Sequence, residues 1–528
     1  MDVTKKSVAI IGAGPSGLTA CKHALAKGFR PVIFEAADAV GGVWTRTLAS
    51  TRLQTPATAF RFSDFPWPAD VEDDEFPRHD QVAAYTAAYA RRFGVLDCVR
   101  FGSRVLAAEF AGASEQEVAA WDRWSGNGEA FGDGTGEWHL TVKHGESGET
   151  QKYTFDFLIL CVGRYGVAKH PKFPDEAGPE VFRGQVLHSM DYSRMPHADA
   201  DELIRGKRVV VVGSGKSALD IVAQCAEANG SEYPCTMVYR NPNWAVDPNL
   251  TWGAFFEKLM TSRLAELMVH KPGEGLALSL LAKILSPIRL LIAKATETYY
   301  KTLMPMRKHG MVPGHGFSAA MLGWRISVLP DKFYDMVVDG GIVLKRCDSF
   351  GFCVDGVVMN GTGERVDADV VILATGFDAD QHLSRVFVSP WFRDIIVAGP
   401  SDTMLPLYRH CVHPRIPQMA VVGYAESAAS IYPYEMMAKW VVHLLDGAVR
   451  LPSVAAMERS VAEWERWGKW AKRRSGAAFF LKSCIASVTT WYHDQLCRDM
   501  GYSPRRKEGE GLLADWLQPY GSTDYAGI

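Results

Sequence analysis

Two stretches of the chain share one pattern of hydrophobic and polar positions. In each, a run of β-branched residues meets glycines spaced G-x-G-x-x-G/A and then a helix-like segment, first in SVAIIGAGPSG (residues 7–17) and again in RVVVVGSGKSA (residues 208–218). A continuous apolar run predicts a buried parallel strand, and strand, glycine loop and helix in succession predict a dinucleotide-binding βαβ unit. The repetition predicts an α/β fold with two Rossmann-like domains.

The glycine loops provide the first candidate binding residues. The first glycine permits a tight turn, the second lets the backbone approach a pyrophosphate, and the third position must be small so that helix and strand pack closely. The diphosphate then lies at the N-terminus of the helix, where free N–H groups and the helix dipole favour anions. The predicted binding residues are Gly12, Gly14, Pro15, Ser16 and Gly17 in the first loop and Gly213, Gly215, Ser217 and Ala218 in the second.

The strand that follows each loop distinguishes the two nucleotides. PVIFEA ends in Glu35, and an acidic side chain there accepts hydrogen bonds from ribose hydroxyls. CTMVYRN contains Arg240, whose guanidinium would grip a 2′-phosphate that a carboxylate would repel. We therefore expect FAD in the first unit and NADPH in the second, with a solvated surface arginine as the alternative for Arg240.

Two further apolar runs that end at glycine, residues 155–166 and 368–380, echo each other. We expect them to carry the chain out of the first nucleotide domain and back into it, which makes the NADPH domain an insertion. The glycine-rich residues 125–137 predict an exposed loop in a small antiparallel meander. The predicted domains are an FAD-binding domain of residues 1–180 (meander at about 101–155) and 371–450, an NADPH-binding domain of residues 181–370 with a helical insertion at about 250–310, and a helical C-terminal extension of residues 451–528.

The longest apolar segment covers residues 276–295. Lys283, Pro287 and Arg289 interrupt it, so we do not expect a membrane-spanning helix. Two amphipathic alternatives remain: a helix packed on the protein's own core, or a surface that touches a membrane or closes over a substrate.

Charge, cysteine spacing and the first apolar run argue against nucleic-acid binding, a metal site and a signal peptide. A net charge of -3 over 528 residues provides no basic footprint for nucleic acid. Ten cysteines without C-x-x-C or zinc-site spacing indicate reduced thiols, and His410 with His413 has no further ligand pattern, so we predict no metal site. The first apolar run begins at Ser7, which leaves no room for a signal peptide. We expect a cytoplasmic protein, with peripheral attachment to the endoplasmic reticulum as the alternative.

In their order and spacing, these motifs resemble the flavin-containing monooxygenases, the NADPH-dependent class B flavoenzymes. The matching motifs are GAGPSG at residues 12–17, Glu35, GGVW at 41–44, FRGQVLHSMDY at 182–192, GSGKSA at 213–218 and LATGF at 373–377. The resemblance adds Gly42, Val43, Trp44, Thr375 and Gly376 to the expected cofactor-binding residues. It implies that NADPH reduces FAD, that O2 adds at C4a of the flavin, and that bound NADP+ shields the hydroperoxide until it oxygenates a nucleophilic nitrogen or sulfur.

The stretch FRGQVLHSMDY is the family's identifying motif, and it contains Phe182, Gly184, His188 and Tyr192. We interpret it as a linker between the two nucleotide domains, in which Gly184 admits a close backbone approach and His188 is a polar anchor near the cofactor cleft. The alternative for His188 is a satisfied buried histidine, and we do not predict proton transfer by it. The Baeyer–Villiger branch typically has Trp where this chain has Tyr192, which favours the heteroatom-oxidising branch.

Residues 51–68, TRLQTPATAFRFSDFPWP, resemble the stretch that lies at the flavin and nicotinamide in this family. Many members carry Asn where this chain has Gln54, whose amide is one methylene further out. Gln54 is the candidate catalytic residue, as a hydrogen-bonding partner of the oxygenated flavin or of the nicotinamide. Gln54 and its neighbour Thr55 are both expected to contact the cofactors.

The substrate class is narrowed only by resemblance. Residues 407–440 and the tail from Cys497 resemble the plant branch that includes pipecolate N-hydroxylases. We therefore expect N-hydroxylation of an amine or amino acid, with S-oxygenation or auxin-type oxidation of indole-pyruvate as alternatives. The expected partners are this small molecule and O2.

Two rival functions share the predicted fold. A pyridine-nucleotide disulfide oxidoreductase needs a redox cysteine pair beside the flavin, and Cys21, Cys98 and Cys161 are not spaced as one. A flavin-binding scaffold without catalysis is the rival from a different class, and NADPH oxidation by the FAD-loaded protein distinguishes it from an enzyme.

The aromatic content of residues 244–308 and 424–434 suggests where the substrate pocket lies. Trp244 and Tyr432 are the named candidates for its wall. The alternative is that these aromatic side chains fill the core.

Overall fold

The computed structural model describes residues 6–145, 148–248, 261–397, 403–427, 431–475 and 480–528. Its strands are β1 (Ser7–Ile11), β2 (Arg30–Phe34), β3 (Val99–Arg100), β4 (Ser103–Ala111), β5 (Glu137–His144), β6 (Glu149–Phe155), β7 (Phe157–Leu160), β8 (Gln185–His188), β9 (Val209–Val212), β10 (Cys235–Tyr239), β11 (Trp244–Val246), β12 (Ile326–Val328), β13 (Ile342–Arg346), β14 (Phe350–Cys353), β15 (Gly356–Met359), β16 (Arg365–Asp367), β17 (Val370–Leu373) and β18 (Met419–Val421). Its α-helices are α1 (Pro15–Ala26), α2 (His79–Arg92), α3 (Glu115–Ala120), α4 (Ser189–Arg194), α5 (His197–Ile204), α6 (Lys216–Asn229), α7 (Arg263–Leu267), α8 (Leu276–Leu303), α9 (Phe317–Leu322), α10 (Phe333–Val338), α11 (Ala379–Ser384), α12 (Pro390–Val397), α13 (Ile431–Leu445), α14 (Val454–Arg474), α15 (Thr489–Asp499) and α16 (Leu512–Leu517).

Two five-stranded sheets form the centres of the two nucleotide units. The first has the strand order β18-β7-β1-β2-β3 and the second β13-β10-β9-β17-β8, and the strands within each sheet pair in parallel. The two apolar runs that precede the glycine loops are the central strands β1 and β9. A central parallel strand is covered on both faces, which is why these runs are continuously apolar. The predicted α/β fold with two Rossmann-like units is confirmed.

The second unit is inserted into the first, as predicted, but the returning strand is not the expected one. β17 pairs with β9 and β8 in the second sheet, whereas β18 pairs with β7 and brings the chain back to the first sheet. The prediction that residues 368–380 re-enter the first domain is therefore wrong. β7 and β17 are both fully buried, and a fully apolar run does not indicate which sheet it joins.

The two chain segments that connect the sheets run side by side. Ala168, after β7, and Phe377, after β17, form an antiparallel bridge. The N–H of Lys169 donates to the carbonyl of Gly376 at 3.0 Å, and the N–H of Asp378 donates to the carbonyl of Val167 at 2.9 Å. The connections thus form one paired double strand between the domains.

The predicted meander is present as the antiparallel sheet β4-β5-β6. The expectation that residues 125–137 form an exposed loop is wrong in part, because Ala130 and Phe131 are buried. The ring centroid of Phe131 lies 5.9 Å from that of Phe157 in β7. The glycines around these residues supply turns, and the apolar side chains between the turns pack on the core.

The long apolar segment belongs to α8, which continues through Pro287. Proline lacks the N–H that would bond the carbonyl of Lys283, and Ser286 Oγ donates to that carbonyl at 2.9 Å instead. Only 11% of the most apolar 18 residues of α8 is buried, and by length and composition alone the helix could cross a membrane. The prediction that the apolar segment packs on the protein's own core is therefore wrong for most of residues 276–295, whereas Tyr300 near the end of α8 lies in the core.

The C-terminal extension is helical, and it is attached to the helical insertion. Arg263 of α7 donates two hydrogen bonds to the Asp494 carboxylate of α15, at 2.7 and 2.8 Å. The Glu266 carboxylate of α7 accepts the backbone N–H groups of Thr490 and Trp491 at 2.6 and 2.9 Å. The tail after residue 501 contains the short helix α16.

Candidate functional site

A cleft of about 450 Å³ is lined by residues from both nucleotide units. Trp44, Gln54 and Thr55 line it from the first unit, and Gly215 and Ser217 from the second. The carboxyl ends of parallel strands face this cleft, which is where ligands bind in open α/β sheets. The cleft therefore brings together some of the predicted cofactor residues of both units, and its lining does not include residues 12–17, Glu35 or Arg240.

The first glycine loop has the close backbone approaches that the pattern predicts. Gly12 has φ +103°, and a Cβ there would lie 2.5 Å from the carbonyl oxygen of Cys161. A Cβ on Gly17 would lie 1.9 Å from the carbonyl oxygen of Gly12. Gly14 precedes α1, and Pro15 occupies the first turn, where its missing N–H removes no helical bond. This loop fits a diphosphate at the helix N-terminus.

Glu35 lies beside that loop at the end of β2. Its Oε2 accepts the N–H of Ala13 at 2.7 Å, and its Oε1 accepts the N–H of Ala37 at 2.8 Å. These bonds fix the carboxylate next to the glycine turn and leave each oxygen a further lone pair. Binding of the ribose by Glu35 stays a prediction, and its position suits that role.

The second glycine loop has the same construction. Gly213 has φ +147°, and a Cβ there would lie 2.4 Å from the carbonyl oxygen of Ala374. Gly215 precedes α6, and apart from its chain neighbours no atom of the described residues lies within 4 Å of the position that its Cβ would take. Ala218 is fully buried against the sheet. The open space at Gly215 lets a ligand approach the backbone.

A second arginine, which sequence reasoning missed, stands beside Arg240. Arg346 ends β13 and is in register with Tyr239 of β10, one residue before Arg240. Its Nε donates to the carbonyl of Arg240 at 3.0 Å, and its Nη2 donates to Asn241 Oδ1 at 3.2 Å. Two guanidinium groups at neighbouring strand ends suit a 2′-phosphate. The sequence shows a basic end of IVLKR, but only the pairing of β13 with β10 shows that Arg346 adjoins Arg240.

The side chain of Gln54 reaches from the first unit to the second. Its Oε1 accepts the N–H of Val328 in β12 at 3.1 Å. Next to it, Thr55 is buried in the cleft wall, and its Oγ1 has no hydrogen-bond partner among the described residues. A buried hydroxyl without a partner is costly, so a bound cofactor group would satisfy it.

The GGVW turn closes over the first glycine loop. A Cβ on Gly42 would lie 3.2 Å from the Cα of Gly14. Val43 and Trp44 line the cleft, and the Trp44 ring packs at 5.6 Å, edge to face, on that of Phe60. Flavin binding by these residues stays a prediction, and their place beside the first glycine loop suits it.

The identifying motif is part of the second sheet rather than a separate linker. Its residues 185–188 are the edge strand β8, and a Cβ on Gly184 would lie 2.3 Å from the carbonyl oxygen of Asp369. The interpretation as a linker is therefore wrong, while the close backbone approach at Gly184 is present. Phe182 and Tyr192 are buried on opposite sides of this sheet, in different core clusters.

His188 is both a buried histidine and a neighbour of the cleft. Its Nδ1 accepts the N–H of Met190 at 3.0 Å and so caps α4. Its ring lies 5.6 Å from that of Phe377, which lines the cleft, and burial lowers the pKa of His188. His188 therefore positions backbone through Nδ1, while its buried Nε2 has no hydrogen-bond partner among the described residues, so the alternative of a satisfied histidine holds for one ring nitrogen only.

Gly376 lines the cleft, and Thr375 lies beside it. Thr375 Oγ1 donates to the carbonyl of Lys169 at 2.6 Å. This bond ties the LATGF turn to the neighbouring connection between the sheets. Of the two predicted residues, Gly376 lines the cleft and Thr375 does not, and cofactor binding by either stays a prediction.

The predicted aromatic wall of the substrate pocket is wrong for its two named residues. Trp244 is fully buried, and its Nε1 donates to the carbonyl of His315 at 3.0 Å. Tyr432 is buried against His493, with ring centroids 5.3 Å apart. Both fill the core, which was the alternative. Parts of the two predicted regions, residues 249–260 and 428–430, lie outside the described residues.

The histidines and cysteines considered in the sequence are buried, except Cys98, which is partly buried. Burial lowers the pKa of His410 and of His413 to about 3, so both are neutral core residues. A hydrogen bond between the thiols raises the pKa of Cys21 and lowers that of Cys98. These two thiols therefore meet, but neither lines the cleft. Within the described ranges, no cluster of three or more His, Cys, Asp or Glu could hold a metal ion.

An acidic residue of the cleft wall was also missed. Glu426 follows β18, lines the cleft, and has a side chain that is 12% exposed. Nε of Arg164, which follows the adjacent strand β7, lies 3.8 Å from Glu426 Oε2. Burial raises the pKa of Glu426, and the charge of Arg164 opposes that rise. Both residues stand just past a strand's carboxyl end, and strand order was needed to see that they meet.

Known proteins resemble this chain along nearly its whole length. The family model "FMO-like: Flavin-binding monooxygenase-like" matches residues 5–480. A protein of Arabidopsis thaliana described as probable flavin-containing monooxygenase 1 is 35% identical over 528 residues, which cover 99% of this chain and 96% of the relative. Flavin-containing monooxygenase 5 of Oryctolagus cuniculus is 25% identical and covers 89% of this chain and 78% of its own.

Solved structures share the fold at lower identity. The S-allyl-L-cysteine S-oxygenase of Allium sativum has a TM-score of 0.56 at 19% identity, with 99% of this chain and 97% of that chain covered. An oxidised steroid monooxygenase bound to NADP has a TM-score of 0.64 at 18% identity, with coverages of 94% and 98%. Together with the family match and the identity to the plant relative, the two nucleotide loops show that this chain belongs to the flavin-containing monooxygenase family, as an NADPH-dependent enzyme with FAD and NADPH as cofactors.

Proposed function

We propose that this monooxygenase hydroxylates the nitrogen of a small amine or amino acid, in the manner of a pipecolate-type substrate. The observation that supports nitrogen is the carboxylate of Glu426 in the cleft wall. An amine enters a neutral solution mostly as its ammonium ion, and the protonated nitrogen has no lone pair to attack an electrophile. A carboxylate in the cleft attracts the cation and accepts its proton.

The surroundings of Glu426 suit it for this task. Because burial raises the pKa of Glu426, the carboxylate is a stronger base than a solvated glutamate. Because Arg164 lies 3.8 Å away, the charged form is still stabilised. A thioether carries no proton to remove, so an enzyme that oxygenates only sulfur has no use for this base.

Arg52 supports the narrower class of amino acids. It lines the same cleft, and its Nη1 donates to the carbonyl of Phe76 at 3.3 Å. The remaining guanidinium donors can bind a substrate carboxylate.

The two glycine loops divide the cofactors between them. Residues 12–17 with Glu35, Gly42 and Thr55 would hold FAD, and residues 213–218 with Arg240 and Arg346 would hold NADPH. Bound FAD, reduced by NADPH, supplies the electrophilic oxygen. One atom of O2 goes to nitrogen and the other to water, and NADPH supplies the two electrons. The chain orients the amine, excludes water and takes the proton at Glu426.

The test is a product assay with the purified, FAD-loaded protein. NADPH and air are supplied with cyclic amino acids, arylalkylamines and matched thioethers, and mass spectrometry detects the addition of one oxygen atom. We expect a hydroxylated amine. For Glu426→Gln we expect kcat/KM for the amine to fall by about a hundredfold near neutral pH, while that for a thioether is unchanged. Oxygenation of thioethers alone would contradict the proposal, and so would an equal loss for both substrate classes.

A further inference from the structure

The outward face of α8 is apolar along more than four turns. Leu276, Leu280, Ile284, Ile288 and Leu291 follow one another at helical spacing and are all exposed. The exposed fractions of Leu276, Ile284 and Leu291 are 85%, 71% and 71%. Isolated exposed leucines need no explanation, but a continuous stripe of this length marks an interaction surface.

Two further helices near α8 also have exposed apolar residues. α7 packs against both α8 and α16. Leu264 of α7 is exposed, and so are Leu513 and Leu517 of α16. We name the exposed apolar residues of α7, α8 and α16 the apolar face.

The charges of α8 distinguish between occupants of this face. Lys283 and Lys294 are exposed. The single acid of the helix, Glu297, is buried, and its Oε1 accepts hydrogen bonds from Lys294 and Lys301 at 2.7 and 2.8 Å. The α8 part of the apolar face is therefore bordered by positive charge only.

The buried side of α8 is built into the protein. Oε2 of Glu297 accepts the N–H of Phe317 at 3.1 Å, and Tyr300 is fully buried. Arg289 and Thr296 line a cavity of about 80 Å³ between α8, α7 and α9. A helix with a polar, protein-bound side cannot cross a bilayer without losing these contacts, although its length would allow a crossing.

We propose that the apolar face docks on a lipid bilayer that carries anionic headgroups, with α8 lying in the plane of the interface. Leucine and isoleucine side chains enter the boundary between headgroups and acyl chains, and Lys283 and Lys294 contact the headgroup phosphates or carboxylates. A second copy of the chain suits the face less well. A two-fold contact through α8 would bring the lysines of two helices together without acidic partners.

Vesicle flotation tests this proposal on the full-length, FAD-loaded protein. The vesicles are of phosphatidylcholine alone or with roughly 30% phosphatidylserine. The stripe variant is Leu280→Ser with Ile284→Ser and Leu291→Ser. The matched control is Val338→Ser with Val354→Ser and Val388→Ser, three apolar residues that are exposed elsewhere.

We expect the wild-type protein and the control variant to float with the vesicles that contain phosphatidylserine. For the stripe variant we expect the fraction of protein bound to vesicles to fall at least about tenfold. Its rate of NADPH oxidation in solution should be unchanged. Lys283→Glu should reduce the preference for phosphatidylserine. The proposal is overturned if the wild-type protein floats with neither vesicle, or if the stripe variant floats as well as the control. A dimer that only the stripe substitutions dissociate, without vesicle binding, would assign the face to a second copy and also overturn it.

Discussion

The carboxylate of Glu426 and the guanidinium of Arg164 face each other across 3.8 Å at the ends of two adjacent strands, β18 and β7. Parallel strands place their carboxyl ends at one edge of the sheet, so two residues that are 262 positions apart in sequence meet there, and Glu426 of the pair lines the cleft.

This pair predicts a pH dependence for amine oxygenation. Because the active form of Glu426 is deprotonated, kcat/KM should rise with pH through its raised pKa. Arg164→Met removes the cation that lowers that pKa, so the rising limb should move to higher pH. The measurement is a pH profile with an amine and with a thioether. Arg164→Lys keeps the cation and should keep the wild-type limb, and an equal displacement for the thioether would exclude Glu426 as the titrating group.

The adjoining arginines predict the selectivity for NADPH over NADH. A charge-assisted hydrogen bond to phosphate contributes about 1.5–3 kcal/mol. Arg240→Ala and Arg346→Ala should therefore each lower kcat/KM for NADPH by about 10- to 100-fold and leave that for NADH nearly unchanged. Lys345→Ala is the control, because Lys345 precedes Arg346 but pairs with Glu364. If only the arginine at position 240 affected the selectivity, the assignment of Arg346 would be wrong.

From the position of Gln54 we predict that it affects the ratio of oxygenated product to NADPH consumed. Its amide lines the cleft and joins the two units through the Val328 N–H. Gln54→Ala should lower the ratio of oxygenated product to NADPH consumed, because the amide no longer orders the cleft. Gln54→Asn keeps the amide and should retain part of the ratio. Parallel product and NADPH assays provide the measurement, and an unchanged ratio in Gln54→Ala would remove this residue from the catalytic candidates.

From the contacts of Glu297 we predict that the free energy of unfolding falls at acid pH. Burial would raise its pKa, but the hydrogen bonds from Lys294 and Lys301 and from the Phe317 N–H lower it to about 2, from 4.5. A lowered pKa in the folded state means that the stabilisation is complete above pH 4.5 and is lost as pH falls toward 2. Urea unfolding at a series of pH values should show a shallower acid limb for Glu297→Gln. Glu364→Gln is the surface control, and the same change there would contradict the specific role of Glu297.

The parts of the site that follow local geometry could be predicted from the sequence. A strand, a turn and a helix N-terminus are coded within a few residues, so Gly12, Gly17 and Gly213 stand where the pattern placed them. Arg346 and Glu426 could not be found in this way. Their roles depend on which strands are neighbours, and the apolar runs of β7 and β17 carry no information about that.

Burial of large apolar residues was predicted least well. Trp244 and Tyr432 have the composition of a pocket wall and lie in the core, while α8 has the composition of a core helix and lies on the surface. The hydrophobicity of a side chain shows that its burial is favourable. It does not show whether the side chain is buried in the protein's own core or against another surface.

The bridge between Ala168 and Phe377 has a mechanical consequence. Both covalent connections between the nucleotide units pass through this one ladder of backbone hydrogen bonds. The ladder can therefore act as a hinge about which the units rotate, whereas sliding or twisting of the units would break its hydrogen bonds. Gly376 and Phe377, which line the cleft, belong to this ladder itself. A hinge rotation that opens the cleft to exchange the nicotinamide would therefore leave the part of the cleft wall formed by the ladder in place.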